Sequence, residues 1–324
     1  MSILEVRDLS VTYRTQAGDV PAARNINLKI ERGEVLGLAG ESGCGKSTVA
    51  HALLRLLPEG TKTSGQVFLD GEDVLTMNWG ALRAVRWDRA SIVFQGAMHA
   101  LNPVRRVGDQ VAEAIQLHDR LSPQKTEQRV QELVEQVGLP SRRARDFPHE
   151  LSGGQRQRIM VAMALACKPD LVIADEPTTA LDVMIQAQVL NLIKSLQADL
   201  GLSMLFITHD LSVMVDVCDR IAVMYAGEII EEGPARAVFE SPAHPYSRAL
   251  SGAFPRVGEK RFRRAPMGLG GDPPDPAHLP SGCSFHPRCP DAFAECAKVD
   301  PSLYPAGPGR RAACLLVRAK DGVA

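Results

Sequence analysis

One short segment constrains the fold of this chain more than any other part of the sequence. Gly40 to Thr48 has the sequence GESGCGKST and fits the phosphate-binding pattern G-x-x-x-x-G-K-S without a mismatch. An apolar run from Val35 to Ala39 predicts a strand before it, and an apolar face over 46–57 predicts a helix after it. A strand, a glycine-rich loop and a helix in this order predict an α/β fold that binds ATP or GTP.

The residues of this loop have separate chemical tasks. The glycines permit the tight turn whose backbone N–H groups surround the phosphates. Lys46 supplies a positive charge for the β- and γ-phosphates, and the Ser47 hydroxyl is placed to bind Mg²⁺. We expect Cys44 to fill space, with a thiol that offers a route to inhibition by alkylation. The predicted nucleotide-contacting residues of the loop are Gly40, Ser42, Gly43, Cys44, Gly45, Lys46, Ser47 and Thr48.

A pair of carboxylates follows a second apolar strand, predicted over Leu171 to Ala174. Asp175 ends that strand and Glu176 comes next. A carboxylate at the end of a buried strand can hold Mg²⁺, and a second one beside it can polarise the water that attacks the γ-phosphate. The pair therefore predicts hydrolysis as well as binding.

Five motifs in order resemble the ATPase subunit of ATP-binding cassette (ABC) transporters, over roughly residues 3–250. The motifs are Gly40 to Thr48, Gln95 after a strand over 91–94, Leu151 to Gln155 (LSGGQ), Asp175 with Glu176, and His209 after a strand over 202–208. The resemblance implies a P-loop NTPase cassette with an antiparallel β-subdomain and a helical subdomain at about 96–160. It also implies ATP and Mg²⁺ as ligands.

The resemblance further implies a nucleotide sandwiched between two subunits. The phosphate loop of one chain would face the LSGGQ loop of a partner chain. Ser152, the amides of Gly153 and Gly154, and the N-terminus of the helix after Gln155 would form a second anion site, which closes on the γ-phosphate from the far side. Asp182, in the segment Ala180 to Asp182, would link the two sites across the dimer interface.

Single residues receive roles from the same resemblance. Glu176 would activate the attacking water, and His209 would contact the γ-phosphate. Gln95 would sense both Mg²⁺ and the water. The predicted Mg²⁺ ligands are therefore Ser47, Gln95 and Asp175. Tyr13 would stack on adenine. Taken alone, His209, Gln95 and Tyr13 would be ordinary residues: a lone histidine, a loop glutamine and a packed strand tyrosine.

Composition and hydropathy narrow the classes of protein to which the chain can belong. The 324-residue chain has a formal net charge of -1, which argues against a general nucleic-acid binder. No run approaches the roughly 18 apolar residues of a membrane helix, and the first residues show no secretory pattern. We therefore expect a cytoplasmic protein that docks on separate membrane partners at the inner face of the membrane.

Periodicity predicts the arrangement of the remaining elements. Alternation over 3–11 and 26–30 predicts two edge strands, and core parallel strands are expected at Val35, Ser91, Leu171, Ser203 and Arg220. A helix is predicted to begin at Ser122 and Pro123, bury an apolar face and stop at Gly138. The resemblance makes Gly96 to Val107 a candidate surface for contact with the membrane subunits.

The last quarter of the chain, 251–324, is predicted to be a linker followed by a cysteine lobe. Four of the seven cysteines lie there. In a reducing compartment this concentration favours a metal site over disulfides, and four thiolates suit either tetrahedral zinc or an iron–sulfur cluster. The predicted ligands are Cys283, Cys289, Cys296 and Cys314.

The tail also carries a more specific resemblance. The segments His244 to Leu250 (HPYSRAL) and Cys283 to Pro290 (CSFHPRCP) are similar to the tail of oligopeptide and dipeptide importer ATPases, whose four cysteines hold a 4Fe-4S cluster. This similarity favours the cluster over Zn²⁺ or unmetallated thiols. It implies a boundary near residue 250, between a nucleotide-binding domain over 1–250 and the tail.

Together these motifs predict an importer ATPase that powers uptake of di- or oligopeptides. The implied partners are a second, distinct ABC ATPase subunit, two membrane permeases and an extracytoplasmic solute-binding protein. Import of nickel, opines or sugars by the same subfamily is the main alternative. A soluble cassette ATPase of translation or DNA repair is the other, but the second cassette, coiled coil or zinc insertion typical of those proteins does not occur in the sequence.

Overall fold

The computed structural model describes residues 1–16, 18–96, 100–119, 121–253 and 270–320. Ala97 to His99 of the predicted membrane-subunit surface, and residues 254–269 of the predicted linker, lie outside them. The strands are β1 (Ser2–Thr15), β2 (Gly18–Glu31), β3 (Val35–Ala39), β4 (Lys62–Leu69), β5 (Glu72–Asp73), β6 (Ala90–Val93), β7 (Leu171–Asp175), β8 (Ser203–Thr208), β9 (Arg220–Tyr225), β10 (Glu228–Pro234), β11 (Tyr304–Pro305) and β12 (Arg311–Ala312).

Ten described α-helices accompany these strands, together with three 3-10 helices, Ser141–Arg145, Pro148–Glu150 and His286–Arg288. The α-helices are α1 (Lys46–Leu53), α2 (Trp79–Val85), α3 (Val107–His118), α4 (Pro123–Gln136), α5 (Gly153–Ala164), α6 (Val183–Leu200), α7 (Leu211–Val217), α8 (Ala235–Glu240), α9 (Pro245–Gly252) and α10 (Leu315–Lys320). Within the described ranges, none of them combines the length and the apolarity that a membrane-spanning helix needs.

Contacts divide the chain into two compact units. The first comprises Met1–Ile3, Ile30–Glu34 and Thr76–Phe206. The second comprises Leu4–Lys29, Val35–Leu75 and the described residues from Ile207 onward, so the cysteine tail packs in the same unit as the phosphate loop. The boundary near residue 250 stays a prediction.

The first unit is built on β6, β7 and most of β8, in the order β8-β7-β6. All five residues of β7 are buried, and β6 pairs with it in parallel. The predicted helix over α4 is confirmed: the Ser122 side chain accepts a hydrogen bond from the Lys125 backbone N–H, and Gly138 has a φ of 74° just beyond the helix end. Its predicted apolar face is buried, at Val130, Leu133, Val134 and Val137.

In the second unit, the phosphate loop connects β3 to α1. The strands run in the order β11-β12-β10-β9-β3, with β3 parallel to β9 and fully buried. Helix α1 ends at Leu53, four residues earlier than predicted. Arg55 explains the difference, because its φ of 50° lies in the left-handed region that cannot continue an α-helix.

The antiparallel β-subdomain has the order β2-β1-β4-β5. The prediction that the first two strands are both edge strands is wrong for β1, which lies between β2 and β4. Strand β4 pairs with it from Leu4 opposite Leu69 to Thr12 opposite Lys62. Five residues in β4, from Lys62 to Gln66, are exposed in succession, so its sequence lacks the alternation that predicts a half-buried strand.

Replacing Leu133 tests the packing of the helical region. Its side chain is 0% exposed in α4, so Leu133→Ala is expected to lower the free energy of unfolding by about 2–5 kcal/mol. Leu117→Ala in α3, where the side chain is 53% exposed, is the matched control and should cost under about 1 kcal/mol. Urea unfolding followed by circular dichroism measures both, and equal losses would contradict the burial assigned to α4.

Candidate active site

Two glycines of the phosphate loop lie directly against backbone carbonyls. A Cβ atom on Gly40, whose φ is 152°, would approach the Met224 carbonyl oxygen to 2.3 Å. A Cβ atom on Gly45, whose φ is 105°, would approach the Ala22 carbonyl oxygen to 2.1 Å. These positions therefore require glycine for packing as well as for the turn around phosphate.

Lys46 begins α1 and points back across the loop. Its Nζ atom donates hydrogen bonds to the carbonyl oxygens of Gly40 and Glu41, both at 2.8 Å. The side chain is buried, and Gly45 caps the helix without a side-chain hydrogen bond. An ammonium group and a helix N-terminus directed at the same loop form a site suited to phosphate oxygens.

Tyr13 lies beside the loop, as its predicted adenine role requires. Its hydroxyl is 3.2 Å from the Thr48 Oγ1 atom, which ties β1 to α1. Ser42 and Gly43 are exposed at the tip of the loop, and Ser47 is half-buried in the first turn of the helix. Stacking on adenine stays a prediction for Tyr13, as Mg²⁺ binding does for Ser47.

Cys44 is enclosed by the loop. Burial raises the pKa of its thiol, although the nearby Lys46 ammonium acts in the opposite direction. A buried thiol that resists ionisation is a poor nucleophile. The suggestion that Cys44 offers a route to alkylation is therefore corrected by its burial.

In the first unit, the parallel pairing of β6 and β7 brings Gln95 beside Glu176. Val93 is opposite Ala174, so the residues two positions further along emerge at the same edge of the sheet. The Gln95 Nε2 atom donates to the Glu176 Oε2 atom at 2.9 Å. Asp175 is buried at the end of β7. The structure thus places Gln95, Asp175 and Glu176, three of the residues predicted for hydrolysis and Mg²⁺ binding, at the same edge of the sheet.

A third side chain, missed by the sequence analysis, holds the same carboxylate. The Thr179 Oγ1 atom donates to the Glu176 Oε2 atom at 2.8 Å, while the Glu176 backbone has a φ of 45°. Two donors on one oxygen orient the carboxylate, which can accept a proton from a water. The only sequence signal for this contact is a hydroxyl three residues after Glu176.

The LSGGQ segment forms a capped helix start in the first unit. The Ser152 Oγ atom accepts from the Gln155 backbone N–H at 3.4 Å, and the Gln155 Oε1 atom accepts from the Ser152 backbone N–H at 3.0 Å. Gly154 is close to Ile185, whose Cγ2 atom would lie 2.4 Å from a Cβ at that position. Asp182 caps α6 through the Ile185 backbone N–H at 2.9 Å. The roles of these residues toward a partner's nucleotide stay predictions.

His209 follows β8 in the second unit and is exposed. The next residue, Asp210, caps α7 by accepting from the backbone N–H groups of Ser212 and Val213. A fixed helix start therefore positions the turn that carries His209. Its contact with a γ-phosphate stays a prediction.

The four tail cysteines border one small cavity, as the sequence analysis requires of a shared site. All four are free thiols, and burial raises the pKa of Cys283 to about 11, with the neighbouring thiols acting in the same direction. Across the described ranges, no group of three or more His, Cys, Asp or Glu side chains is arranged to bind a metal ion. The thiols therefore share a cavity without converging on one point.

Two family matches cover separate parts of the chain. Residues 23–179 match the ABC transporter family, and residues 230–296 match the oligopeptide/dipeptide transporter C-terminal region. The first match includes the phosphate loop and Glu176. The second includes the HPYSRAL segment and three of the four tail cysteines.

Relatives and solved structures extend these matches. The chain is 43% identical to the oligopeptide transport ATP-binding protein OppD of Salmonella typhimurium, covering 96% of this chain and 93% of the relative. It is 42% identical to OppD of Escherichia coli, covering 97% and 93%. The dimeric ATP-binding cassette MJ0796, in a post-hydrolysis state with ADP and Pi, matches with a TM-score of 0.65 at 30% identity, covering 72% of this chain and 99% of that one.

The burial of Cys44 predicts slow alkylation. At pH 8, iodoacetamide is expected to leave Cys44 unmodified in the native protein, because the raised pKa of the thiol keeps the reactive thiolate scarce. Labelling should accelerate as the pH rises toward that pKa. Peptide mass spectrometry measures the modified fraction, and the same protein in urea is the control that must label fully. Rapid labelling of Cys44 in the native protein at pH 8 would contradict the enclosed thiol.

Proposed function

The chain belongs to the ABC transporter ATPases, and from that premise we propose that it is the ATP-hydrolysing subunit of an importer for di- or oligopeptides. The observation that carries the proposal is the presence, on one chain, of the cassette and of the oligopeptide/dipeptide transporter C-terminal region. The names of the OppD relatives support peptides as cargo over nickel, opines or sugars. The transporter match likewise disfavours a soluble ATPase of translation or DNA repair.

In the proposed reaction, water attacks the γ-phosphorus of ATP. A bond forms between the water oxygen and phosphorus, the bond to the β–γ bridging oxygen breaks, and the water proton passes to the Glu176 carboxylate. ADP and phosphate are the products. The hydrogen bonds from Gln95 and Thr179 orient Glu176 for this task, while Lys46 and His209 stabilise charge on the γ-phosphate.

Mg²⁺ would be held by Ser47, Gln95 and Asp175. All three offer oxygen donors, which is the ligand type that Mg²⁺ prefers. The bound ion would neutralise charge on the β- and γ-phosphates. Asp175 suits this role because it ends a buried strand beside Glu176, and a carboxylate at such a position can hold the ion.

A second ATPase subunit would complete the site. The Ser152 to Gln155 loop of the partner would close on the γ-phosphate, and Asp182 would link the two sites. The dimeric state of the similar cassette supports this arrangement. Because Glu176 and the LSGGQ loop are both intact, this chain can contribute a competent half to each site, with a distinct homologue as the proposed partner.

The remaining partners follow from the transport function. Two membrane permeases would form the channel, and an extracytoplasmic solute-binding protein would deliver the peptide. The ATPase would act as a peripheral subunit at the cytoplasmic face of the membrane. The described part of Gly96 to Val107 supplies a candidate contact for the permeases, and Val104 in it is 79% exposed.

We also propose that the tail, over 251–324, holds a 4Fe-4S cluster on Cys283, Cys289, Cys296 and Cys314. The donor set supports it, because four free thiols border one cavity. The match of the tail to the oligopeptide/dipeptide transporter C-terminal region favours a cluster over Zn²⁺ as the occupant. When bound, the cluster would cross-link the tail.

Glu176→Gln tests the hydrolytic role. The variant is expected to bind ATP normally while its kcat falls by about 10²–10⁴-fold, because the amide cannot accept the water proton. Phosphate release by the assembled transporter and binding of a fluorescent ATP analogue measure the two quantities. Glu135→Gln, at an exposed position in α4, is the matched control and should leave both unchanged. Near-normal hydrolysis by Glu176→Gln would remove Glu176 from this role.

Cys289→Ser tests the cluster. Anaerobically purified protein is expected to show broad visible absorption that this variant loses, because one of the four thiolate ligands is gone. Cys167→Ser, which removes a thiol outside the tail, should keep the absorption. Metal analysis accompanies the spectra. A colourless wild-type protein carrying one zinc ion per chain would refute the cluster.

A further inference from the structure

Arg288, in the tail, forms an ion pair with the phosphate loop. It ends a short 3-10 helix, His286–Arg288, immediately before Cys289. Its Nη1 atom donates to Glu41 Oε2 at 2.8 Å and its Nη2 atom donates to Glu41 Oε1 at 3.0 Å. Two parallel bonds of this kind fix the planes of both groups, so the pair is directional as well as attractive.

Both members of this ion pair are shielded from water. The Arg288 side chain is only 7% exposed and that of Glu41 is 24% exposed. The guanidinium also donates from Nε to the Gly270 carbonyl at 3.0 Å and lies over the ring of Tyr225. Because the guanidinium is held on several sides, it offers Glu41 a fixed partner rather than a mobile surface charge.

The backbone of Glu41 is held as firmly as its side chain. Its N–H donates to the Tyr246 hydroxyl at 2.9 Å, and its carbonyl accepts from Lys46 Nζ at 2.8 Å. Tyr246 belongs to the HPYSRAL segment and is fully buried. Phe285 packs edge-on against it, with ring centroids 5.4 Å apart. Two segments that lie within the match to the oligopeptide/dipeptide transporter C-terminal region therefore hold Glu41, the second residue of the phosphate loop, in place.

These contacts matter for the nucleotide because Lys46 has two tasks. In the structure its ammonium bridges the Gly40 and Glu41 carbonyls, which closes the loop on itself. When the ammonium turns toward phosphate, those carbonyls lose that restraint. The Arg288 and Tyr246 contacts remain, and they can keep the loop amides directed at the phosphates.

We propose that Arg288 is a positioning residue for ATP binding, which acts by fixing Glu41 and with it the conformation of the phosphate loop. This inference rests on the proposed ATPase function and deepens it. It gives the tail a direct task at the nucleotide site, through an ion pair that joins residues 247 positions apart. Arg288 itself contacts the loop rather than the reacting atoms.

A double-mutant cycle on the full chain tests this role. Arg288→Met and Glu41→Gln are each expected to raise the Kd for a fluorescent ATP analogue by about tenfold, since either change removes the charge-assisted pair of hydrogen bonds that fixes Glu41. The double variant should bind no more weakly than the weaker single variant, because the two residues act as one unit. Arg288→Lys should recover part of the affinity, since an ammonium keeps the charge but cannot bond in parallel.

The matched control is Arg143→Met, which removes the half-buried ion pair with Asp146 in the first unit, outside both the tail and the phosphate loop. Its Kd should equal that of the wild type. In the assembled transporter, the KM for ATP of Arg288→Met should rise while kcat at saturating ATP changes by less than about twofold, a separation that a general loss of folded protein would not produce.

Several outcomes would overturn the inference. An unchanged Kd in both single variants would do so, as would a double variant whose loss is the product of the two single losses. Glu41→Gln leaves the whole tail intact, so it still decides the question if Arg288→Met folds poorly. A wild-type chain that binds no ATP would overturn the proposed function together with this inference, whereas unchanged variants of an ATP-binding chain overturn this inference alone.

Discussion

The close contact between backbones around the phosphate loop is the constraint on which the nucleotide site depends. Gly40 abuts the Met224 carbonyl, and Gly45 abuts the Ala22 carbonyl. A chain of backbone hydrogen bonds completes the contact, from Arg24 N–H to the Gly227 carbonyl at 2.7 Å and from Gly227 N–H to the Cys44 carbonyl at 3.0 Å. These contacts with its neighbours hold the loop in place, which limits the ordering that phosphate binding requires.

The positions of the residues proposed for hydrolysis depend instead on the register of two parallel strands, β6 and β7. Parallel pairing of Val93 with Ala174 puts Gln95 next to Glu176, and their side chains meet at 2.9 Å. A slip of one residue would turn one of the two side chains to the other face of the sheet. The geometry of the carboxylate thus depends on the register of β6 against β7, together with the Thr179 contact in the loop that follows.

Much of this could be predicted from the sequence because the signals are local. A serine cap at Ser122, a glycine stop at Gly138 and the apolar strands associated with four of the five motifs all act over a few residues. The central position of β1 could not be predicted, because it depends on β4, whose exposed residues lack alternation. The Arg288 contact with Glu41 was equally hidden, since nothing in the pattern near either residue indicates its distant partner.

The tail and the phosphate loop share one structural support, the hairpin of β9 and β10. Strand β12 covers the edge of β10, pairing Ala312 with Glu231, while the turn of the same hairpin contacts the loop at Gly227. Glu231 is fully buried and accepts the backbone N–H groups of Ala243 and His244, which fixes the start of α9. An exposed β10 would be an unpaired edge next to the nucleotide site. Because the tail removes that edge, its docking stabilises the hairpin against which the loop rests, and the Arg288 pair adds a direct contact to this indirect one.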